Sequence, residues 1–327
     1  MSESKRKVHV HEVFMRDGLQ NEAVFVPTDE KARMVDALSR TGLTKIEVTS
    51  FTSASAIPAL RDADALMQRI ERRPGVVYAA LVLNLRGAQR ALDARADELN
   101  LVVSASETHN LANTRMTRRQ SRHALREVCR LAGEHAKVAL SIGTAFGCPM
   151  EGAVLFDDVL DIADEFVGSG VAGITLCDTT GMADPAQVRK ACAGLAGRWP
   201  GVALTLHLHD TRGMGLANAL AGLEAGITRF DASLGGLGGC PFAPGASGNI
   251  CTEDLVHMLE AVGCDTGVDL QALIDCAAEL PGIVGHEIRG QVWRAGSADR
   301  RYPRPADFEQ IVERAHVRES MQAAVGS

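Results

Sequence analysis

Apolar and polar positions along this chain fall into two alternating rhythms. Short runs that are apolar throughout, or at every second position, recur as VHVHEVF (8–14), KIEVTSF (45–51), VVYAALVL (76–83) and ELNLVVSAS (98–106). The series continues with KVALSIGTAF (137–146), GITLCDTT (173–180), ALTLHLHD (203–210) and RFDASLGG (229–236). Such runs, each ending in polar residues, predict eight β-strands. Between them the period lengthens to that of amphipathic helices, as in TDEKARMVDALSRTG (28–42), PAQVRKACAGLAGRW (185–199) and GLANALAGLEAG (215–226). Thr28 is placed to cap the first of these, with Asp29 and Glu30 in its first turn and Gly42 at its exit.

Strands alternating with helices imply a parallel sheet, and eight such units favour closure into a (β/α)8 TIM barrel over an open sheet. An open doubly wound sheet needs a glycine-rich phosphate fingerprint after its first strand, where RDGLQNE (16–22) stands instead. The chain therefore predicts an α/β protein of one domain, 1–327, with the barrel over about 8–262 and a C-terminal extension over about 263–327. TEDLVHMLEAVG (252–263) supplies the eighth helix, and a further helix is expected near LQALIDCAAEL (270–280). The remaining tail is expected to be irregular and charged, covering one end of the barrel.

Composition narrows the class of partner. The chain is 46% hydrophobic and 23% charged with a net charge of −7, so it carries no basic field for nucleic acid or an anionic membrane surface. A small-molecule partner is expected instead. No run reaches the roughly 18 apolar residues of a membrane span, and MSESKRKVHVHEVFMRDG at the start lacks the apolar stretch of a secretory signal. None of the eight cysteines forms a Cys-x-x-Cys pair, so a cytoplasmic chain with reduced thiols is expected. The oligomeric state stays open, a homodimer included.

In a barrel of this kind the chemistry lies at the C-terminal ends of the strands. Read off the sequence, those ends bring Arg16 and Asp17, Glu47 and Ser50, Asp178 and Thr179, and His207, His209 and Asp210 to one rim. His207 and His209 point the same way on a strand, about 6–7 Å apart on adjacent pleats. That pair alone leaves a metal site and a strand that merely ends in imidazoles equally open. Asp17 tips the balance, because closure puts the first strand two places from the seventh, and mixed nitrogen and oxygen donors suit Mg2+ or Mn2+ better than structural zinc. After the eighth strand comes GGLGGCPFAPGASGN (235–249), six glycines around one cysteine. It lacks the Lys-Ser/Thr ending of a nucleotide loop. Cys240 among those glycines reads as a mobile catalytic thiol, and Asn249 beyond it offers a neutral carbonyl oxygen as a further ligand.

RDGLQNE, IEVTSF (46–51), SASET (104–108), GCPMEG (147–152), LCDTTGMADP (176–185), HLHDTRGMGLAN (207–218) and GGLGGCPFAPGASGNICTEDLVHMLE (235–260) together resemble the 3-hydroxy-3-methylglutaryl-CoA lyase family, in matching order. The resemblance implies a divalent-metal-dependent carbon–carbon lyase acting on an acyl-CoA, with Asp17, His207, His209 and Asn249 as metal ligands. It further implies a catalytic set of Arg16, Asp17, Glu47, His207 and Cys240, and substrate contacts from Ser50, Asp178 and Thr179. Two alternatives remain: a Claisen-type synthase of the same superfamily, and a metal-binding barrel that has lost catalysis. The chain departs from the family at Ala23, where a lysine is usual, in TSASAIPAL (52–60), and after SASET, where His109 replaces an aromatic residue. His109 is expected to be a solvated loop residue.

Overall fold

The computed structural model describes residues 5–239 and 248–325. Eight parallel strands close into a barrel in sequence order: β1 (His9–Glu12), β2 (Lys45–Ser50), β3 (Val77–Val82), β4 (Glu98–Ser104), β5 (Lys137–Gly143), β6 (Gly173–Asp178), β7 (Ala203–Leu208) and β8 (Arg229–Ala232). Around them run α1 (Thr28–Leu38), α2 (Ala63–Arg69), α3 (Leu85–Asp93), α4 (Glu107–Thr114), α5 (Arg118–Ala132), α6 (Phe156–Val167), α7 (Pro185–Leu195), α8 (Gly215–Glu224) and α9 (Thr252–Ala261). Most of these helices lay an apolar stripe on the sheet, as α6 does with Val159, Ile162, Ala163 and Phe166, whereas α4 buries His109 and Asn110. The (β/α)8 barrel expected from the alternation is the fold observed.

The C-terminal segment begins with α10 (Leu270–Val284), packed against α9 and α1, and α11 (Val292–Ala295). The chain divides into two compact units, Met1–Ala295 and Gly296–Ser327, and the second contains α12 (Phe308–Val325). The tail is therefore not irregular as its charge suggested: from Phe308 on it has no proline or glycine before the end of an 18-residue helix. No helix among the described residues is long and apolar enough to cross a membrane.

Thr28 does not cap α1. It is the first helical residue, Pro27 stands at the cap without a side-chain bond, and the Thr28 hydroxyl donates to Asp62 Oδ2 at 2.8 Å. Proline satisfies that position because its fixed φ suits the helix start.

Two buried carboxylates tie the barrel's seam together. Glu12, at the end of β1, accepts from the amides of Phe14 (2.8 Å) and Leu234 (2.9 Å) and from the Thr252 hydroxyl (2.7 Å). Glu253 in α9 accepts from the Gly235 amide at 3.1 Å. Burial pushes Glu12 up to about 7 and, with Asp254 nearby, Glu253 up to about 8 from an ordinary 4.5. A raised carboxyl holds its proton in the fold to a higher pH than in the unfolded chain, so its contribution is complete below about 4.5 and is lost as pH rises through the folded value. Glu253→Gln, which cannot ionise, should gain melting temperature relative to the parent between pH 5 and 8. A gain of roughly 1–2 °C corresponds to about 1 kcal/mol in a chain of this size. Parallel pH profiles of the two proteins would refute this role.

Candidate active site

The polar ends of the strands divide into two groups. Several serve local structure: Asn84 caps α3, Ser106 caps α4, and Asp210 accepts from the Gly215 amide at the start of α8, at 2.7 Å. Asp178 is of this kind, taking the amides of Met182 (2.7 Å) and Ala183 (3.2 Å), with burial raising its carboxyl to about 6. The other group converges on a cavity of about 740 Å3 at the C-terminal mouth, lined among others by Arg16, Asp17, Thr179, His207 and His209. Ser50 is buried below this surface, its hydroxyl accepting from the Thr52 amide at 3.3 Å.

Arg16 and Asp17 owe their placement to a single π-type turn, Phe14–Gly18, in which the Val13 carbonyl is shared by the amides of Arg16, Asp17 and Gly18. A widened turn of this sort costs regular hydrogen bonding and recurs at functional sites. Arg16 Nε donates to Glu47 Oε2 (2.6 Å) and Nη1 to Asp17 Oδ1 (2.5 Å). Glu47 is aimed by a register shift in β2 between Glu47 and Thr49, and its other oxygen accepts from Asn100 Nδ2 at 2.7 Å. Burial alone would weaken the charge on Arg16, but the two carboxylates reverse that and raise its pKa further.

Asp17 Oδ2 stands 3.8 Å from His207 Nε2 and 3.8 Å from His209 Nε2, and these two nitrogens are 3.2 Å apart. All three residues are buried, and their ligand atoms lie within 4.8 Å of one another. Burial opposes ionisation of Asp17, yet Arg16, both histidines and Asn249 hold its carboxyl down at about 2. Burial also drives His209 down, to about 4, helped by His207, while Asp231 and Asp17 outweigh burial at His207 and raise it.

Asn249 arrives because residues 248–252 run back between the ends of β7 and β8, with the Ile250 amide on the Leu208 carbonyl at 3.1 Å and the Ser233 amide on the Ile250 carbonyl at 3.0 Å. Glycine is required at both ends of the preceding loop. A Cβ on Gly238 would stand 2.7 Å from the Asp17 carbonyl and 2.8 Å from Asn249 Nδ2, and one on Gly248 would collide with the carbonyls of Gly236 and Gly238. Asn249 Nδ2 donates to Asp17 Oδ2 (2.5 Å) and the Leu237 carbonyl (3.1 Å), while its buried Oδ1 has no hydrogen-bond partner among the described residues. Three converging donors and an orphaned amide oxygen fit a divalent cation. Cys240 lies outside the described residues.

His109 is not solvated. It is 3% exposed, lines the cavity wall, and shares a 2.7 Å hydrogen bond between Nδ1 and the Ser104 hydroxyl. The helix start at Ser106 turns it inward, which its neighbours' polarity concealed. Asp231 and His11 escaped the sequence reading because they sit one step inside the strands, below the rim. Their signal was a charged residue on the inward pleat of a strand neighbouring His207.

A parallel eight-stranded barrel with a buried carboxylate–imidazole donor set and an arginine at its mouth defines a TIM-barrel enzyme with a candidate metal site. The profile of the HMGL-like family matches residues 7–279, and the chain belongs to that family, making it a carbon–carbon lyase. It is 45% identical to hydroxymethylglutaryl-CoA lyase YngG of Bacillus subtilis over 273 residues, 83% of this chain and 91% of that protein. The (R)-citramalyl-CoA lyase of Chloroflexus aurantiacus is 39% identical over 88% of this chain and 95% of its own. Among solved structures, a hydroxymethylglutaryl-CoA lyase from Acinetobacter baumannii in complex with coenzyme A and 3-methylmalate superposes with a TM-score of 0.90 at 46% identity, covering 93% of this chain and all of that one.

Proposed function

We propose that this lyase splits 3-hydroxy-3-methylglutaryl-CoA, or a close relative with another substituent on the tertiary carbon, into acetyl-CoA and a 3-oxo acid such as acetoacetate. The observation that carries this is the convergence of Asp17, His207, His209 and Arg16, itself held by Glu47, on one cavity. Asp17, His207, His209 and, with its amide turned over, Asn249 would hold Mg2+ or Mn2+. Such an ion supplies a Lewis acid for the tertiary hydroxyl.

The chain's own residues do the rest. The hydroxyl gives its proton to solvent at the cavity mouth as the bond between the second and third carbons breaks, leaving a ketone and sending the electron pair onto the thioester carbonyl. Arg16, fixed by Glu47, presents a guanidinium to that oxyanion. Cys240, on the glycine loop, gives a proton to the enolate carbon and completes acetyl-CoA. Thr179 on the cavity wall contributes to holding the acyl chain, with Asp178 fixing the turn that follows it and Ser50 fixing Thr52 on the β2 side of the wall.

The test is acetyl-CoA release by chelator-treated protein from a panel that includes 3-hydroxy-3-methylglutaryl-CoA and citramalyl-CoA. Turnover should be absent without metal and return with Mg2+ or Mn2+. Failure on every thioester, with metal bound, would leave the reading of a barrel without catalysis. Condensation of acetyl-CoA with a 3-oxo acid as the favoured direction would point to a synthase.

A further inference from the structure

Beneath the metal ligands, five consecutive strands place one registered row of inward side chains. Lys45 on β2 pairs in register with His11 on β1, His11 with Asp231 on β8, Asp231 with His207 on β7, and His207 with Cys177 on β6. Barrel interiors are normally filled with branched apolar residues. Here the centre of the row is a carboxylate between two imidazoles: Asp231 Oδ1 lies 3.0 Å from His11 Nδ1, and Oδ2 lies 3.4 Å from His207 Nδ1. All three are buried, at 6–8% exposure, and Lys45 behind His11 is neutralised by Glu98 at 2.5 Å.

We propose that Asp231 is a positioning residue that aims His207 at the metal, and that His11 fixes Asp231 in turn. The inference rests on the reading of His207 as a ligand. With the Nδ1 proton of His207 given to Asp231, the lone pair at Nε2 faces Asp17 and His209, so tautomer and ring angle are both set from below. A carboxylate alone can swing between its two oxygens. Occupying Oδ1 with His11 leaves only Oδ2 for His207, and the strand registers fix both distances without any loop contribution. His209 has no such support among the described residues, where its Nδ1 has no hydrogen-bond partner. The two imidazoles are thus unequal ligands, one held by the barrel and one by the bridge between the backbone at His209 and Asn249.

Mn2+ titration of the metal-free full chain by calorimetry, together with the electron paramagnetic resonance of the bound ion, tests the idea without relying on turnover. Asp231→Asn should weaken Mn2+ by roughly 10–100-fold. His11→Asn leaves the Asp231 charge in place but loosens its orientation. It should weaken the ion several-fold and broaden its spectrum, and kcat should fall more than KM changes. Loss of affinity in Asp231→Asn with wild-type affinity and spectrum in His11→Asn would mean that Asp231 acts by charge alone and would overturn the positioning role. Unchanged affinity in a folded Asp231→Asn protein would overturn it as well. If Asp231→Asn does not fold, the His11→Asn comparison decides. Failure of the parent protein to bind Mn2+ would instead remove the metal reading on which this one stands.

Discussion

His209→Ala should abolish metal binding and turnover together while leaving the fold intact or slightly more stable. The ring is 4% exposed, its Nδ1 lacks a hydrogen-bond partner among the described residues, and its Nε2 faces His207 Nε2 at 3.2 Å. A buried imidazole with an unsatisfied nitrogen is a cost to folding unless a ligand repays it. Removing it should therefore not lower the melting temperature of the metal-free protein, whereas a histidine kept for packing would leave a destabilising cavity. Mn2+ affinity should fall by more than the roughly 10–100-fold that outer partners of a metal command. The stabilisation that the parent protein gains from saturating Mn2+ should vanish with it. Calorimetric affinity equal to the parent's would overturn the ligand assignment.

Arg16→Gln should separate chemistry from metal binding. Loss of a preorganised donor for a developing oxyanion typically costs about 10^2–10^3 in kcat, and Arg16 is in addition a full charge in a buried site. The effect should fall on kcat, with KM for the thioester little changed, because the charge it meets exists only in the transition state. Metal affinity should hold or rise, since Arg16 Nη1 binds Asp17 Oδ1 at 2.5 Å and competes for that carboxylate. Arg16→Lys should recover little of the rate. A single ammonium cannot span Glu47 Oε2 and Asp17 Oδ1 as the planar fork does. A loss carried entirely by KM would show that Arg16 binds the ground state instead.

On the wall across the mouth, His109 is buried against Ser104 on β4, close to Gly143 and Thr179. The absence of a side chain at Gly143 matters, because a Cβ there would lie 3.3 Å from the Ser104 hydroxyl and 3.4 Å from that of Thr179. The relatives include lyases named for two different acyl-CoAs, so comparing substrates on His109→Phe is a natural companion to the substrate panel.

The sequence by itself determined the alternation of strands and helices, and with it the barrel, because a period of two and a period near four are properties of neighbours along the chain. It also placed Arg16, Asp17, His207 and His209 at strand ends, since position within a strand is a one-dimensional fact. What it left open depended on pairs of residues far apart in the chain. Strand register decided that Asp231 would bridge His11 and His207, separated from it by 220 and 24 positions. A π-type turn over Phe14–Gly18 and a bulge in β2 between Glu47 and Thr49 decided that Arg16 would meet both Asp17 and Glu47. Polar strand ends look alike in a sequence whether they cap a helix, as Ser106 does, or line a cavity, as Thr179 does. Only the packing of the following loop chooses between them, because an oxygen goes to whichever unpaired donor the fold brings within reach.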